Sequence, residues 1–158
     1  MPISKQTLSG TERKALTMLL SGDDPFLKAL RVQAKSLVIT CRRKPPYPDQ
    51  ISRRVHFRAD KMNGTNANHK RSAYLYDVVG ADANDVAADF CLCIKNGLIK
   101  FLEIHFYEME FSDLRQLTLS YLEERPPNSG AKYYSKLRDM TSVKKMLYEE
   151  PFLFKYLL

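Results

Sequence analysis

Apolar positions change period along the chain, and each change marks an element. Leu16, Leu19 and Leu20 recur at the i, i+3, i+4 spacing of a helix face. They follow Ser9-Gly10-Thr11-Glu12, a capping box in which the serine oxygen and the glutamate each satisfy a backbone donor the helix leaves unpaired. Ser21-Gly22-Asp23 stops that helix, and Asp24-Pro25 starts a second one carrying Phe26, Leu27, Leu30 and Ala34. From Ser36 the pattern becomes that of strands. Leu37–Cys41 is compact and β-branched, Arg42-Arg43-Lys44-Pro45-Pro46 breaks it, and Val55 and Phe57, then Tyr74, Tyr76 and Val78, alternate with polar neighbours. Lys61–Arg71 between them is polar and turn-rich and reads as a mobile loop.

Val86–Ile94 and Leu98–Tyr107 flank Lys95-Asn96-Gly97 and form the best-specified pair. A two-residue Asn-Gly turn in unbroken register would set Phe90 against Glu103 and place charge on both faces. A three-residue loop with Gly97 left-handed sets Ile94 against Leu98 and Phe90 against Leu102, which separates a nearly apolar face from a mixed one. The pattern therefore predicts the three-residue loop. Leu114, Leu117, Tyr121 and Leu122 fit a helix, while Leu117, Leu119 and Tyr121 fit a strand, so this stretch stays open. After the Arg125–Gly130 break, Tyr133, Leu137, Met140, Val143, Met146 and Leu147 fall on helical spacing, and Phe152, Leu153, Tyr156 and Leu157 follow Pro151. So heavy an apolar load implies a helical tail that docks.

These elements predict an α+β fold: N-terminal helices packed on an antiparallel sheet of about five strands, with a C-terminal helical appendage. One domain over residues 1–125 and a docked tail over 131–158 is the expected organisation of the 158 residues. No apolar stretch reaches the roughly 20 residues of a membrane helix, and no leader opens the chain, so a cytoplasmic protein without a membrane partner is expected. Cys41, Cys91 and Cys93 are too few for a disulfide scaffold and fit reduced thiols.

Charge changes the picture more than composition does. The net +7 conceals three blocks: residues 1–72 carry 15 Lys and Arg against 5 Asp and Glu, residues 73–124 carry 3 against 10, and the remainder is basic again. Either pole can address a partner. In the acidic block Glu103, His105 and Tyr107 share one strand face and Glu108, Glu110 and Asp113 follow, with Asp77, Asp82 and Asp85 near the adjoining turn. Carboxylates beside aromatic rings suit docking to a basic protein, although the same charges also serve solubility. In the basic block Arg42, Arg43, Arg53, Arg54 and Arg58 interleave with Tyr47, His56 and Phe57 over residues 42–58, as in a sheet that holds single-stranded nucleic acid.

Catalytic chemistry is poorly represented. Cys91, Cys93 and the three histidines lack the paired spacings of a zinc site, no Gly-rich phosphate loop or Gly-x-Ser-x-Gly elbow occurs, and Glu103, His105 and Asp89 are a bare acid-base trio on a face that solvent should cover. No metal, cofactor or catalytic residue is expected.

The helical opening Ser9–Leu20, with its Ser-x-x-Glu-x-x-x-Leu spacing, and the strand Lys95-Asn96-Gly97-Leu98-Ile99-Lys100-Phe101-Leu102-Glu103-Ile104 together resemble small bacterial domains, several of which look like immunity proteins. The likeness spans about residues 7–111. The chain departs from the pattern at Lys61–Arg71 and after Gly130. The resemblance implies a non-enzymatic immunity protein that binds and neutralises a cognate toxin domain, and it assigns no residue a role. The alternative is a nucleic-acid-binding module.

Overall fold

The computed structural model describes residues 6–46, 51–59, 71–83, 85–111, 113–123 and 133–149. The Lys61–Lys70 part of the expected loop, Tyr47, the Arg125–Gly130 break and the aromatic residues after Pro151 lie outside them.

Both N-terminal helices form where their local signals place them. In α1 (Gly10–Leu19) the capping box is closed on both sides: Ser9 Oγ accepts from Glu12 N at 3.2 Å, and Glu12 Oε1 accepts from Ser9 N at 2.8 Å. In α2 (Pro25–Ala34) Asp24 caps and proline occupies the first turn, where no amide hydrogen is needed. No basic residue stands in the last turn of α1, yet its final carbonyls are not left bare. Arg31 donates to Leu20 O and Gly22 O, and Arg138 donates to Leu19 O and Ser21 O.

The strands are β1 (Leu37–Arg43), β2 (Ile51–Ala59), β3 (Ala73–Asp82), β4 (Asp85–Lys95), β5 (Leu98–Phe106), β6 (Thr118–Glu123) and β7 (Tyr133–Ser135). They form one antiparallel sheet in the order β1-β2-β5-β4-β3-β6-β7, two strands more than expected. The stretch left open resolves into a 3-10 turn at Leu114–Gln116 followed by β6. Tyr133 belongs to β7, not to a helix: the three residues Tyr133–Ser135 complete the backbone pairing of β6, a use for which aromatic residues are well suited. The tail then turns helical only in α3 (Met140–Lys144), which Asp139 caps, and in a π-helical turn at Lys145–Glu149. Val143, Met146 and Leu147 are buried against the sheet, whereas Leu137 is 83% exposed and takes no part in the stripe.

All three helices lie on one face of the sheet. Their apolar sides join Val55, Leu75, Val78, Phe90, Leu92, Leu102, Ile104 and Phe106 in a single core. The expected hairpin register is corrected in an instructive way. Lys95 pairs with Leu98 across a two-residue Asn96-Gly97 turn, both residues having positive φ (52° and 79°), as a type I′ turn demands. Ile94 faces Ile99, but a bulge then places Cys93 opposite Phe101, so Leu92 pairs with Leu102 and Phe90 with Ile104, not Phe90 with Leu102. The extra residue restores the separation of faces that an unbroken two-residue register would have destroyed. Gln33, fully buried, satisfies the hairpin end: its Nε2 donates to Gly97 O at 2.9 Å and its Oε1 accepts from Ile99 N at 2.6 Å.

Candidate functional site

The helices leave the chemistry to the opposite, outer face. There the register puts Ser52 beside His105, Arg54 beside Glu103, His56 beside Phe101, and Cys91 and Cys93 beside Glu103 and Phe101. Arg54 and Glu103 are both almost fully buried and paired, Nε to Oε1 at 2.9 Å, while Tyr74 donates to Glu103 Oε2 at 2.9 Å. The Arg54 guanidinium also lies 4.3 Å from the centre of the Phe101 ring. Burial raises the Tyr74 phenol far above its usual range, with Cys91 and Glu103 adding to it. Burial likewise pushes the Cys93 thiol up to about 12 and the Cys91 thiol up as well, so both remain protonated at neutral pH.

This geometry separates the residues expected to meet a partner. Glu103 is withdrawn from the surface, because both its oxygens are engaged inside the sheet. His105 is half-buried, with Nδ1 at 2.8 Å from Ser52 Oγ. Tyr107, 43% exposed, donates to Asp89 Oδ1 at 2.6 Å and meets the His105 ring edge-on. Glu108 is exposed, and Glu110 reaches Arg53 at 3.4 Å and Lys44 at 4.0 Å. Asp113 is held in a local pair with Arg115. The trio Asp89, Glu103 and His105 does share the outer face, but each member is engaged by a different neighbour.

Two residues at this place escaped sequence reasoning. Met109 is 64% exposed, and Ile51, exposed at the start of β2, pairs with Phe106 next to Tyr107. Neither breaks an alternation or carries charge; Met109 follows Tyr107 by two residues, and the strand register brings Ile51 to the same end. Tyr107 N also donates to Ala87 O, which brings the exposed Asp82 and Asp85 of the β3–β4 turn to that end as well. That end of the sheet therefore carries exposed acidic residues together with Tyr107 and Met109, while Ile51 sits on the face of Phe106.

The arginines of the alternative reading are mostly engaged. Arg42 is bound by Glu12 at 2.6 and 2.9 Å and donates to Thr7 O. Arg53 lies over Phe106 and against Glu110, and Arg54 is inside the sheet. Arg43 is exposed, as is Arg58. Arg43 instead lines an outer-face cavity of about 740 Å³ where β1, β2, β4 and β5 meet, together with Lys44, His56, Lys95, Lys100 and Phe101.

Among the described residues no three His, Cys, Asp or Glu side chains gather as a metal site would require, and no helix is long and apolar enough to cross a membrane. Compared with protein-family models, curated proteins and solved structures, the chain matches none. The functional reading therefore rests on its surface.

Proposed function

We propose that this chain is a non-enzymatic immunity protein that neutralises a toxin domain by binding it at the end of β5. One observation carries the reading: Tyr107 and Met109, two large side chains left exposed just past β5, lie at the same end of the sheet as the exposed Glu108, Asp82 and Asp85. Apolar anchors ringed by carboxylates provide affinity and attract a basic partner. The resemblance of Ser9–Leu20 and Lys95–Ile104 to immunity-type domains points to the same class of partner. A nucleic-acid role for residues 42–58 has less support, since Arg42, Arg53 and Arg54 already pair with the chain's own carboxylates.

Growth rescue tests the proposal. A toxin domain encoded by a gene flanking this chain's own, if the locus carries one, is expressed in a sensitive host, alone and with the chain; a locus without one counts against the reading. The wild-type chain should restore growth, and a Tyr107→Ala, Met109→Ala double variant that remains folded should not. A wild-type chain that gives no protection would overturn the immunity reading, whereas equal protection by the double variant would overturn the choice of surface.

A further inference from the structure

The outer-face cavity runs across β1, β2, β5 and β4 from the start of β5 towards Arg43, which the register sets level with Glu103, and its chemistry is opposite in sign to that of the acidic end. Arg43, Lys44, Arg54, Lys95 and Lys100 line it, and among the described residues no Asp or Glu does. Glu103 balances Arg54, and Lys44 leans towards Glu110 at 4.0 Å. Arg43, by contrast, donates from Nε and one terminal nitrogen to the sulfur of Cys41, at 3.3 and 3.1 Å, and Lys100 projects from the bulge into solvent. Cations gathered around one hollow repel one another unless an anion enters. The field is felt within the cavity: burial, then Arg43 and Arg54, lowers the pKa of His56, which keeps the ring neutral at pH 7.

A second observation is independent of charge. His56 Nε2 is sealed from solvent and has no hydrogen-bond partner, an unusual condition for a polar atom. Its ring packs at 5.4 Å from Phe101, and Pro45, Pro46 and Leu98 complete a largely apolar wall. A volume of about 740 Å³ exceeds what a bare ion needs and falls in the range of small-molecule sites. We propose that this cavity binds an organic phosphate of mononucleotide size, with its phosphate among Arg43, Lys95 and Lys100 and its organic part along His56 and the proline wall. The assignment is independent of toxin docking, because none of these residues belongs to the surface at the end of β5.

Calorimetric titration of the full chain with AMP, ADP, inorganic phosphate and a single-stranded oligothymidylate tests it, with the His56 ring signals followed by NMR. Expected are saturable binding of AMP or ADP, weaker binding of inorganic phosphate, and displacement of the His56 signals on nucleotide addition. Arg43→Ala and Lys100→Ala alter exposed side chains and should leave the fold intact; each should weaken the nucleotide about tenfold, the effect of losing one charge-assisted contact. No saturable binding of either nucleotide, or binding unchanged in both variants, overturns the proposal. Affinity that rises with oligothymidylate length above that of the mononucleotides also overturns it, in favour of a nucleic-acid groove.

Discussion

Arg138 and Asp77 are 61 residues apart in sequence, yet they form a two-pronged pair with both contacts at 2.8 Å and with both side chains almost wholly buried. The same guanidinium donates to two carbonyls at the end of α1 and lies over Tyr121, so one side chain joins the tail, β3, β6 and the first helix. Removing it leaves the Asp77 carboxylate buried without its counter-charge. Arg138→Ala is therefore expected to destabilise the fold by roughly 3–5 kcal/mol, measured by urea unfolding, and adding Asp77→Ala should recover part of that loss. Glu12 makes a second residue-scale prediction. Burial alone would raise its pKa, but the Arg42 and Ser9 hydrogen bonds outweigh burial and hold it below its usual 4.5. A carboxyl whose folded pKa is depressed contributes stability above the unfolded value and loses it as pH falls through the folded one. Stability measured from pH 5 downward should thus decline less steeply in Glu12→Gln than in the wild type. The capping box was legible in the sequence because its partners are three residues apart. The Arg138 and Arg42 pairs were not, since neither spacing nor periodicity links such distant positions.

At the scale of elements, alternation showed which residues of β4, and of β5 from Phe101 onward, share a face, but it set Ile99 on the mixed face and Lys100 on the apolar one, whereas the bulge turns Ile99 into the core and Lys100 outward. Parity is preserved equally by a three-residue loop and by a two-residue turn with a bulge, and the sequence of the hairpin alone does not separate them. What separates them lies elsewhere: Gln33 in α2 offers one donor and one acceptor to the distorted hairpin end. Gln33→Leu, of similar bulk, would leave Gly97 O and Ile99 N buried without partners, at about 1–3 kcal/mol for each. Hydrogen exchange should localise the damage, with the Ile99 amide exchanging faster than the amides of β3. Uniform acceleration across the sheet would instead show that Gln33 acts through general packing. The tail departs from its apolar spacing for a related reason. The apolar spacing of Tyr133 and Leu137 fits a helix, but the open edge of β6 recruits Tyr133–Ser135 as a strand.

Across the whole molecule the charge blocks of the sequence become poles of the sheet. Asp82, Asp85 and Glu108 gather at one end of β4 and β5, and Lys95 and Lys100 stand at the other, with Asp85 and Lys95 separated by the 11 residues of β4, or roughly 33 Å at about 3.3 Å per residue. That separation exceeds the Debye length of about 8 Å at physiological salt, so each pole attracts its own partner. The linear sequence showed the acidic block but not which of its members reach solvent. Glu103 is inside the sheet, and a Glu103→Lys change would strand Arg54 beside a second cation, so any loss of binding would report a damaged fold. The informative reversals are Asp85→Lys and Glu108→Lys, both at exposed positions. If a basic toxin docks at this pole, the pair should slow association at low salt by about tenfold or more while leaving dissociation nearly unchanged, because steering acts on encounter. Tyr107→Ala and Met109→Ala should do the reverse and shorten the lifetime of the complex. Raising the ionic strength to about 1 M, where the Debye length falls to about 3 Å, should bring the association rates of wild type and reversal variant together. Equal rates at low salt would mean that the acidic end of the sheet does not face the toxin, however tightly the two proteins bind.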